Sequence, residues 1–270
     1  MSASPRPNIA IIDEEISKTI FGAYPSKRPQ YLGDQDVVRD WTMICAGWKW
    51  YGEKRISLVS RLDDMKRFKK DPFDDFVIVK KLHDIISEAD AIAGHCITRF
   101  DYPKFVERAM CHGLDPLPKP RMLDTYLMAK QCGFSYNSLR YLSKRLRTKE
   151  KLDNRGNEMW MEIATNPNKA NISECVTYCR GDIQPVEDLL DKFLPWVGAS
   201  YGINHNLFRG DGVTCCPKCG SLDYKKDGTR GAYQNFTIVG RYQRYQCLNK
   251  EKKCGYYFMD GKRIKGSRYK

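Results

Sequence analysis

The chain has 270 residues, of which 41% are hydrophobic and 12% aromatic, so it can bury the core of one large domain or of a medium domain with a small module. It contains no run close to the roughly 18 apolar residues that a membrane-spanning helix needs, and its first residues lack the apolar segment of a secretory signal peptide. We therefore expect a cytoplasmic protein, in a reducing compartment, without a membrane partner.

The formal net charge of +13 is concentrated near the C-terminus. Residues 211–270 contain 14 Lys and Arg against 5 Asp and Glu, a net charge of +9, and the first 210 residues carry the remaining +4. A small basic segment beside a nearly balanced one indicates a polyanionic partner. Aromatic residues interleaved with its Lys and Arg favour nucleic acid over an ordinary solvated surface.

The chain opens on a predicted buried strand that ends in acids. Within residues 8–17, an apolar run at 9–12 is followed by Asp13, Glu14 and Glu15. Side chains alternate along a strand, so Asp13 and Glu15 point to one face and Glu14 to the other. Two converging carboxylates favour a cation between them, and the simpler alternative is an acidic turn after the strand.

The remaining elements predict an α/β fold, in which a mixed sheet is flanked by helices. After a loop at 21–40, the further predicted strands lie at residues 41–51, 55–61, 91–94 and 122–123. The first three strands of the chain are expected to form an antiparallel meander. The predicted helices lie at residues 71–89, from about 103 to 112, and at 125–131, 138–146, 157–164 and 172–193. We expect Asp74 or Asp75 to cap the first of these helices and Pro185 to kink or divide the last.

Three motifs then stand in the order of a known family. They run from Ile11 to Glu15 (Ile-Ile-Asp-Glu-Glu), from Gly94 to Asp101 (Gly-His-Cys-Ile-Thr-Arg-Phe-Asp), and from Tyr178 to Asp182 with three residues between tyrosine and aspartate. A Leu-Asp-Thr step at 123–125 stands between the second and third. Together they resemble the 3′–5′ exonucleases of ribonuclease-H-like fold whose acids are Asp, Glu, Asp and Asp with a tyrosine (the DEDDy type). The resemblance covers roughly residues 8–196.

This resemblance implies a two-metal nuclease site. Asp13, Glu15, Asp101 and Asp182 would hold two Mg²⁺ or Mn²⁺ ions, and Tyr178 would orient the attacking water. Phosphodiester hydrolysis uses two divalent cations in this way, and hard cations prefer carboxylate oxygens. An un-ionised phenol, with a pKa of about 10, is a poor general base, so orienting water is the better role for the tyrosine.

Positions in and beside the motifs leave alternatives open. His95 is either a substrate contact or a packed histidine, and Asp124 is expected to be structural. Three positions depart from the family, because Ile16 replaces a usual threonine, Cys96 replaces a common asparagine, and Glu14 adds an acid. These departures keep open the hypothesis of a nucleic-acid-binding or recruitment protein with a vestigial nuclease domain. A third hypothesis is an RNA-directed or endonucleolytic enzyme, because the metal chemistry is the same for DNA and RNA.

The C-terminal cysteines resemble a zinc ribbon. Cys216 and Cys219 are followed, after 27 residues, by Cys247 and Cys254. Four such thiolates would hold one structural Zn²⁺, which replaces the core that about 60 residues cannot supply. Six residues separate the last two cysteines, so the second knuckle carries an insertion, and Cys215 is an adjacent spare. Disulfides are disfavoured because nothing indicates secretion.

The other six cysteines have no framework spacing and are expected to be small buried side chains. They are Cys45, Cys96, Cys111, Cys132, Cys175 and Cys179.

These observations predict a nuclease domain at 1–196, a linker at 197–212 and a basic zinc-ribbon domain at 213–270, with ribbon strands at 236–239, 241–246 and 255–259. The expected substrate is nucleic acid, single-stranded DNA ahead of RNA. The candidate substrate contacts in the ribbon are Arg241, Tyr242, Arg244 and Tyr245. Two alternatives are that about half of the ribbon's aromatics form its core and that the ribbon docks onto a protein partner.

Overall fold

A five-stranded mixed sheet forms the centre of the N-terminal part. The computed structural model describes residues 8–23, 32–151, 153, 155–201, 215–216, 221–227, 234–237, 240–250 and 254–264. The first strands are β1 (Ile9–Ile16), β2 (Ile20–Phe21), β3 (Val37–Arg39), β4 (Met43–Trp50), β5 (Ser57–Ser60), β6 (Ala91–Gly94) and β7 (Arg121–Asp124). The sheet has the order β5-β4-β1-β6-β7, with β4 and β5 antiparallel and β6 and β7 parallel to their neighbours. The predicted mixed sheet and its meander are confirmed.

Helices cover both faces of this sheet. They are α1 (Met65–Lys70), α2 (Phe76–Glu88), α3 (Asp101–Cys111), α4 (Thr125–Gln131), α5 (Leu139–Leu146), α6 (Asn157–Thr165) and α7 (Lys169–Val197). Ile9 and Ile11 of β1 pack against α4, α5 and α7, while Ile12 packs against α2 and α3. Because the side-chain period of a strand is two, Asp13 and Glu15 continue the row of Ile9 and Ile11 and face α7.

The helix α7 is longer than predicted, and Pro185 does not divide it. A proline inside a helix costs about 3 kcal/mol. Here Pro185 is buried together with Ile183, Val186 and Leu190, which fill the core beneath the sheet. Burying an aliphatic side chain of this size stabilises by about 1.5–3 kcal/mol, so packing along α7 outweighs the lost hydrogen bond.

Two smaller predictions need correction. Cys45, Cys175 and Cys179 are buried as expected, but Cys96 is only partly buried, and Cys111 and Cys132 are exposed. These two lie at the C-terminal ends of α3 and α4, where the chain turns away from the core. The predicted loop at 21–40 contains β3 and the second residue of β2, and these two strands pair with each other. Residues 24–31 of the loop lie outside the described part.

Four short strands make up most of the described C-terminal part. They are β8 (Tyr224–Lys226), β9 (Gln234–Thr237), β10 (Gly240–Cys247) and β11 (Tyr257–Arg263). The strand β10 pairs with each of the other three, and β8 was not predicted. The small core contains Phe258, Tyr224 and Tyr245 together with cysteines. Among the described helices of the whole chain, none combines the length and apolar character needed to cross a bilayer.

Candidate metal centres

Three acids converge where β1 meets α7. Asp13 and Glu15 lie opposite Gly47 and Cys45 of β4, and Asp182 projects from α7 with 1% of its surface exposed. Each of the three offers a carboxylate oxygen within 4.8 Å of the others. The strand and the helix both belong to the packed core, so the backbone fixes this convergence.

The close approach of α7 depends on Gly47. A Cβ atom at this position would lie 3.2 Å from Sγ of Cys179 and 3.3 Å from Cδ1 of Ile183, tighter than ordinary van der Waals contact. Since Gly47 stands opposite Asp13, its missing side chain lets α7 settle over the acids. The pairing of β1 with β4 also shifts after Glu15, and such irregularities re-aim side chains near functional sites.

Asp101 lies beside this group rather than within it. It is the first residue of α3, 6% exposed, and is not among the three acids that share the 4.8 Å radius. The N-cap of α3 is Phe100, so Asp101 does not cap this helix. Its carboxylate interacts with the backbone N–H of Glu14, and its charge acts on Asp13.

The acid site has more buried negative charge than its hydrogen bonds satisfy. Burial, reinforced by neighbouring carboxylates, raises the pKa of Asp13 and of Glu15 well above the ordinary value. Burial also raises the pKa of Asp101 to about 7. Oδ2 of Asp13 and Oδ1 of Asp182 are buried without a hydrogen-bond partner. Buried carboxylate oxygens without donors are a poor arrangement alone and a good one around a hard cation, so this donor set fits Mg²⁺ or Mn²⁺.

A lysine that the sequence analysis did not single out also lies in the acid site. Lys151, in the loop between α5 and α6, forms an ion pair with Asp182. Its Nζ atom also lies 4.8 Å from the centre of the Tyr178 ring. The predicted Tyr178 is half-buried, packs edge-on against Trp160 and interacts with both Lys151 and Asp182. Burial raises the pKa of Tyr178, so the phenol stays protonated near neutral pH.

Asp124 holds the segment that leads to Asp101, as its predicted structural role requires. Its two carboxylate oxygens accept hydrogen bonds from the backbone N–H groups of Cys96, Thr98, Tyr126 and Leu127, at 3.0–3.3 Å. One side chain thereby caps α4 and fixes the turn after β6. With four backbone donors, this carboxylate is committed to structure.

His95 and Cys96 occupy that same turn. Nδ1 of His95 lies 2.9 Å from Oγ1 of Thr125, and burial lowers the pKa of His95 to about 4, so the imidazole is neutral at pH 7. Cys96 has a φ of 69°, a left-handed conformation that asparagine adopts more readily than cysteine. This backbone requirement gives a physical reason for the asparagine that is common in the resembling family.

Glu14 lies on the opposite face of β1, as strand alternation predicts. It pairs with Ala46, is 4% exposed, and lines a small cavity with Leu82, Ile86 and Phe105. Burial raises the pKa of Glu14 well above its ordinary value. Glu14 is therefore outside the group of converging acids. Ile16, the other departure in this motif, packs against the same face.

A second candidate metal centre lies in the C-terminal part. Cys216, Cys247 and Cys254 offer sulfur atoms within 4.8 Å of one another, with Sγ of Cys216 and Cys254 3.6 Å apart. Thiolates in such a cluster could hold a metal ion, and Zn²⁺ is the ion they suit. The predicted fourth ligand, Cys219, lies outside the described residues, and the buried Cys215 is not in this set.

Two of the four predicted substrate contacts in the ribbon already have partners within the protein. Tyr245 belongs to the small core, 5.4 Å from Tyr224 and 5.7 Å from Phe258 between ring centres. Arg244 forms an ion pair with Asp227, which neutralises part of its charge, and its guanidinium lies 5.1 Å from the ring of Tyr257. Arg241 and Tyr242 lie in β10, but their side chains are outside the described part.

Comparisons with known proteins show the fold and no family. No protein-family model matches the chain, and no curated protein matches it. Among solved structures, the chain is similar to the family B DNA polymerase from the hyperthermophilic archaeon Pyrobaculum calidifontis, with a TM-score of 0.53 and 13% identity. The match covers 90% of this chain and 33% of the polymerase chain, so this chain spans about one third of that protein's length.

Proposed function

We propose that the protein is a metal-dependent 3′–5′ exonuclease that acts on single-stranded DNA. The observation that carries the proposal is the convergence of Asp13, Glu15 and Asp182, with two buried oxygens that lack hydrogen-bond partners. The order of the motifs supports the exonuclease class, and the likeness in fold to a DNA polymerase supports DNA ahead of RNA.

In this proposal each residue has one task. Two divalent ions, when bound, supply Lewis acidity for water activation and offset the charge on the leaving oxygen. Asp13, Glu15 and Asp182 hold them, and Asp101 completes the set from the start of α3. Tyr178, as a protonated phenol at the edge of the site, orients the attacking water by hydrogen bonding. The neutral His95 contacts the substrate without adding charge.

The C-terminal segment is proposed to be a basic zinc-ribbon domain that assists substrate binding. Cys216, Cys247 and Cys254 would hold one Zn²⁺ with Cys219, which leaves no open coordination position and makes the metal structural. Arg241 and Tyr242 are the proposed nucleic-acid contacts. Arg244, through its ion pair with Asp227, and Tyr245, through its packing in the small core, are proposed to hold the strand that carries these contacts. The segment bounds at 196 and 212 remain predictions.

Three consecutive acids allow a sharp test of the catalytic proposal. Asp13→Asn and Glu15→Gln should lower Mn²⁺-dependent release of mononucleotides from 5′-labelled single-stranded DNA by more than about 100-fold, because loss of a mere outer-shell partner of a metal costs about 10–100-fold. Glu14→Gln, one residue away on the opposite face, should retain the activity. A 5′-labelled RNA of the same sequence, digested in parallel, measures the preference for DNA.

Several outcomes would contradict the proposal. Activity retained in Asp13→Asn would show that the three acids are not the catalytic site. Cleavage of circular single-stranded DNA would indicate an endonuclease. DNA binding without hydrolysis in the wild-type protein would favour a recruitment protein.

A further inference from the structure

Lys151 reaches the acid site from a fastened loop. Residues 147–156 connect α5 to α6, and the backbone N–H of Lys149 donates a 3.1 Å hydrogen bond to Oδ2 of Asp188 on α7. On the other side of Lys151, Arg155 bonds to Glu162 of α6 and to Glu174 of α7. The loop is therefore attached to α7 on both sides of the lysine, which defines where its ammonium group can lie.

Lys151 places a positive charge beside the carboxylate oxygens that are proposed to bind metal. Its ammonium pairs with Oδ2 of Asp182, the carboxylate whose other oxygen has no hydrogen-bond partner. The same charge acts on Asp13, Glu15 and Asp101. Only about a quarter of its side chain is exposed, at 27%, so this is a partly desolvated contact with Asp182.

A divalent cation at this site would meet the lysine. A metal that uses both oxygens of Asp182 would share Oδ2 with the ammonium or displace it, and a metal that uses Oδ1 alone would lie close to the same positive charge. Because like charges repel strongly in a partly buried setting, lysine and metal oppose each other at this carboxylate.

We propose that Lys151 is a tethered counter-ion of the acid site, which stabilises Asp182 while no divalent ion is bound and competes with the ion for this carboxylate. The inference rests on the proposed function only in taking the acid site to bind divalent ions. It makes Lys151 a positioning residue that sets the metal affinity of the site and keeps the acids together before metal arrives.

The test is a calorimetric titration of the 270-residue, zinc-loaded protein with Mn²⁺. Lys151→Met keeps the length of the side chain and removes its charge, and should lower the Kd for Mn²⁺ by at least about tenfold, since hydrogen bonds to charged groups are the stronger ones. Lys151→Gln should act in the same direction. Lys149→Met is the matched control, because Lys149 lies in the same loop, is exposed, and contributes its backbone to the anchor.

Thermal unfolding separates this role from a purely structural one. Without Mn²⁺, Lys151→Met should have a lower Tm than the wild type, because Asp182 loses its counter-ion. In saturating Mn²⁺ the two proteins should have the same Tm. An equal loss of Tm with and without Mn²⁺ would overturn the proposal, as would an unchanged or higher Kd in both variants.

The nuclease proposal and the counter-ion proposal fail in different ways. An unchanged Kd in an active nuclease overturns the counter-ion role alone. Saturable Mn²⁺ binding without hydrolysis overturns the nuclease alone. No Mn²⁺ binding in the wild type and both Lys151 variants overturns both.

Discussion

The two candidate metal centres differ in what holds their ligands together. Asp13, Glu15 and Asp182 stand on a strand and a helix that bury a large apolar core on both faces of a sheet. The cysteine cluster has a described core of only a few side chains, among them Phe258 and Tyr245. We therefore expect the three acids to be positioned before any metal binds, and the cysteines to depend on a metal ion for their positions.

The largest expected effect comes from breaking the cysteine cluster. Cys247→Ser should abolish zinc binding and unfold the C-terminal part, because structural zinc contributes about 10–16 kcal/mol to folding in small zinc domains. Metal content and limited proteolysis measure this, with a protease-resistant N-terminal fragment as the expected product. Cys132→Ser, at an exposed helix end, is the control. Unchanged zinc content in Cys247→Ser would show that another ligand set holds the metal.

The N-terminal part should instead depend on its own buried polar contacts. Asp75 is 0% exposed and accepts from both Nε and Nη2 of Arg108, from His112 and from the backbone N–H of Met43, at 2.6–2.8 Å. Asp75→Ala should lower the free energy of unfolding by about 3–5 kcal/mol, since it leaves a cation without its partner.

Denaturant unfolding of the zinc-loaded protein checks the effect of Asp75→Ala. Asp74→Ala is the matched control, because Asp74 only accepts from the backbone N–H of Phe76 and pairs with the half-exposed Arg67. Its loss should cost about 1 kcal/mol. Equal losses in the two variants would contradict the importance given to the Asp75 network.

Metal and pH should act together on the acid site. The raised pKa values of Asp13, Glu15 and Asp101 mean that the metal-free folded state binds more protons than the unfolded state. Its stability should therefore fall as pH rises from about 4, the ordinary carboxyl value, to about 7, the value of Asp101. Saturating Mg²⁺ at pH 7.5 should raise Tm by roughly 5–10 °C if present at about 100 times its Kd.

Scanning calorimetry at pH 5.5 and 7.5, with and without Mg²⁺, measures these changes in Tm. The increase in Tm should be smaller at pH 5.5, where protons compete with the metal, and Asp182→Asn should reduce it at both values. A larger increase at pH 5.5 would contradict the pKa directions on which this prediction depends.

The smallest effect concerns the strained turn before Asp101. A left-handed conformation costs an ordinary residue about 1–2 kcal/mol, and asparagine tolerates it better than cysteine. Cys96→Asn should therefore raise the free energy of unfolding by about 0.5–1 kcal/mol. Cys132→Asn, where φ is −77°, should give no gain. A loss of stability in Cys96→Asn would show that packing of the thiol outweighs the backbone strain.

The sequence predicted what depends on local periodicity and on motif spacing. Alternation along β1 separated Asp13 and Glu15 from Glu14. The helical pattern placed Asp182 on the last helix, and its spacing from Tyr178 matched the third motif of the family. The sequence could not predict Lys151, because the place where the 147–156 loop crosses α7 is decided by tertiary contacts such as the one between Lys149 and Asp188. Arg244 was predicted to contact phosphate, and its ion pair was not predicted because the partner, Asp227, lies 17 residues away in the sequence. That pairing too depends on tertiary structure.

Anomalous diffraction from one crystal tests the central claim, that the acid site binds divalent ions on a preformed scaffold. In a crystal of the zinc-loaded protein soaked in Mn²⁺, manganese should be coordinated directly by oxygens of Asp13, Glu15 and Asp182, with the backbone of β1 and α7 unmoved. Zinc should appear at Cys216, Cys247 and Cys254. Zinc at the cysteines with no manganese at the acids would contradict the account.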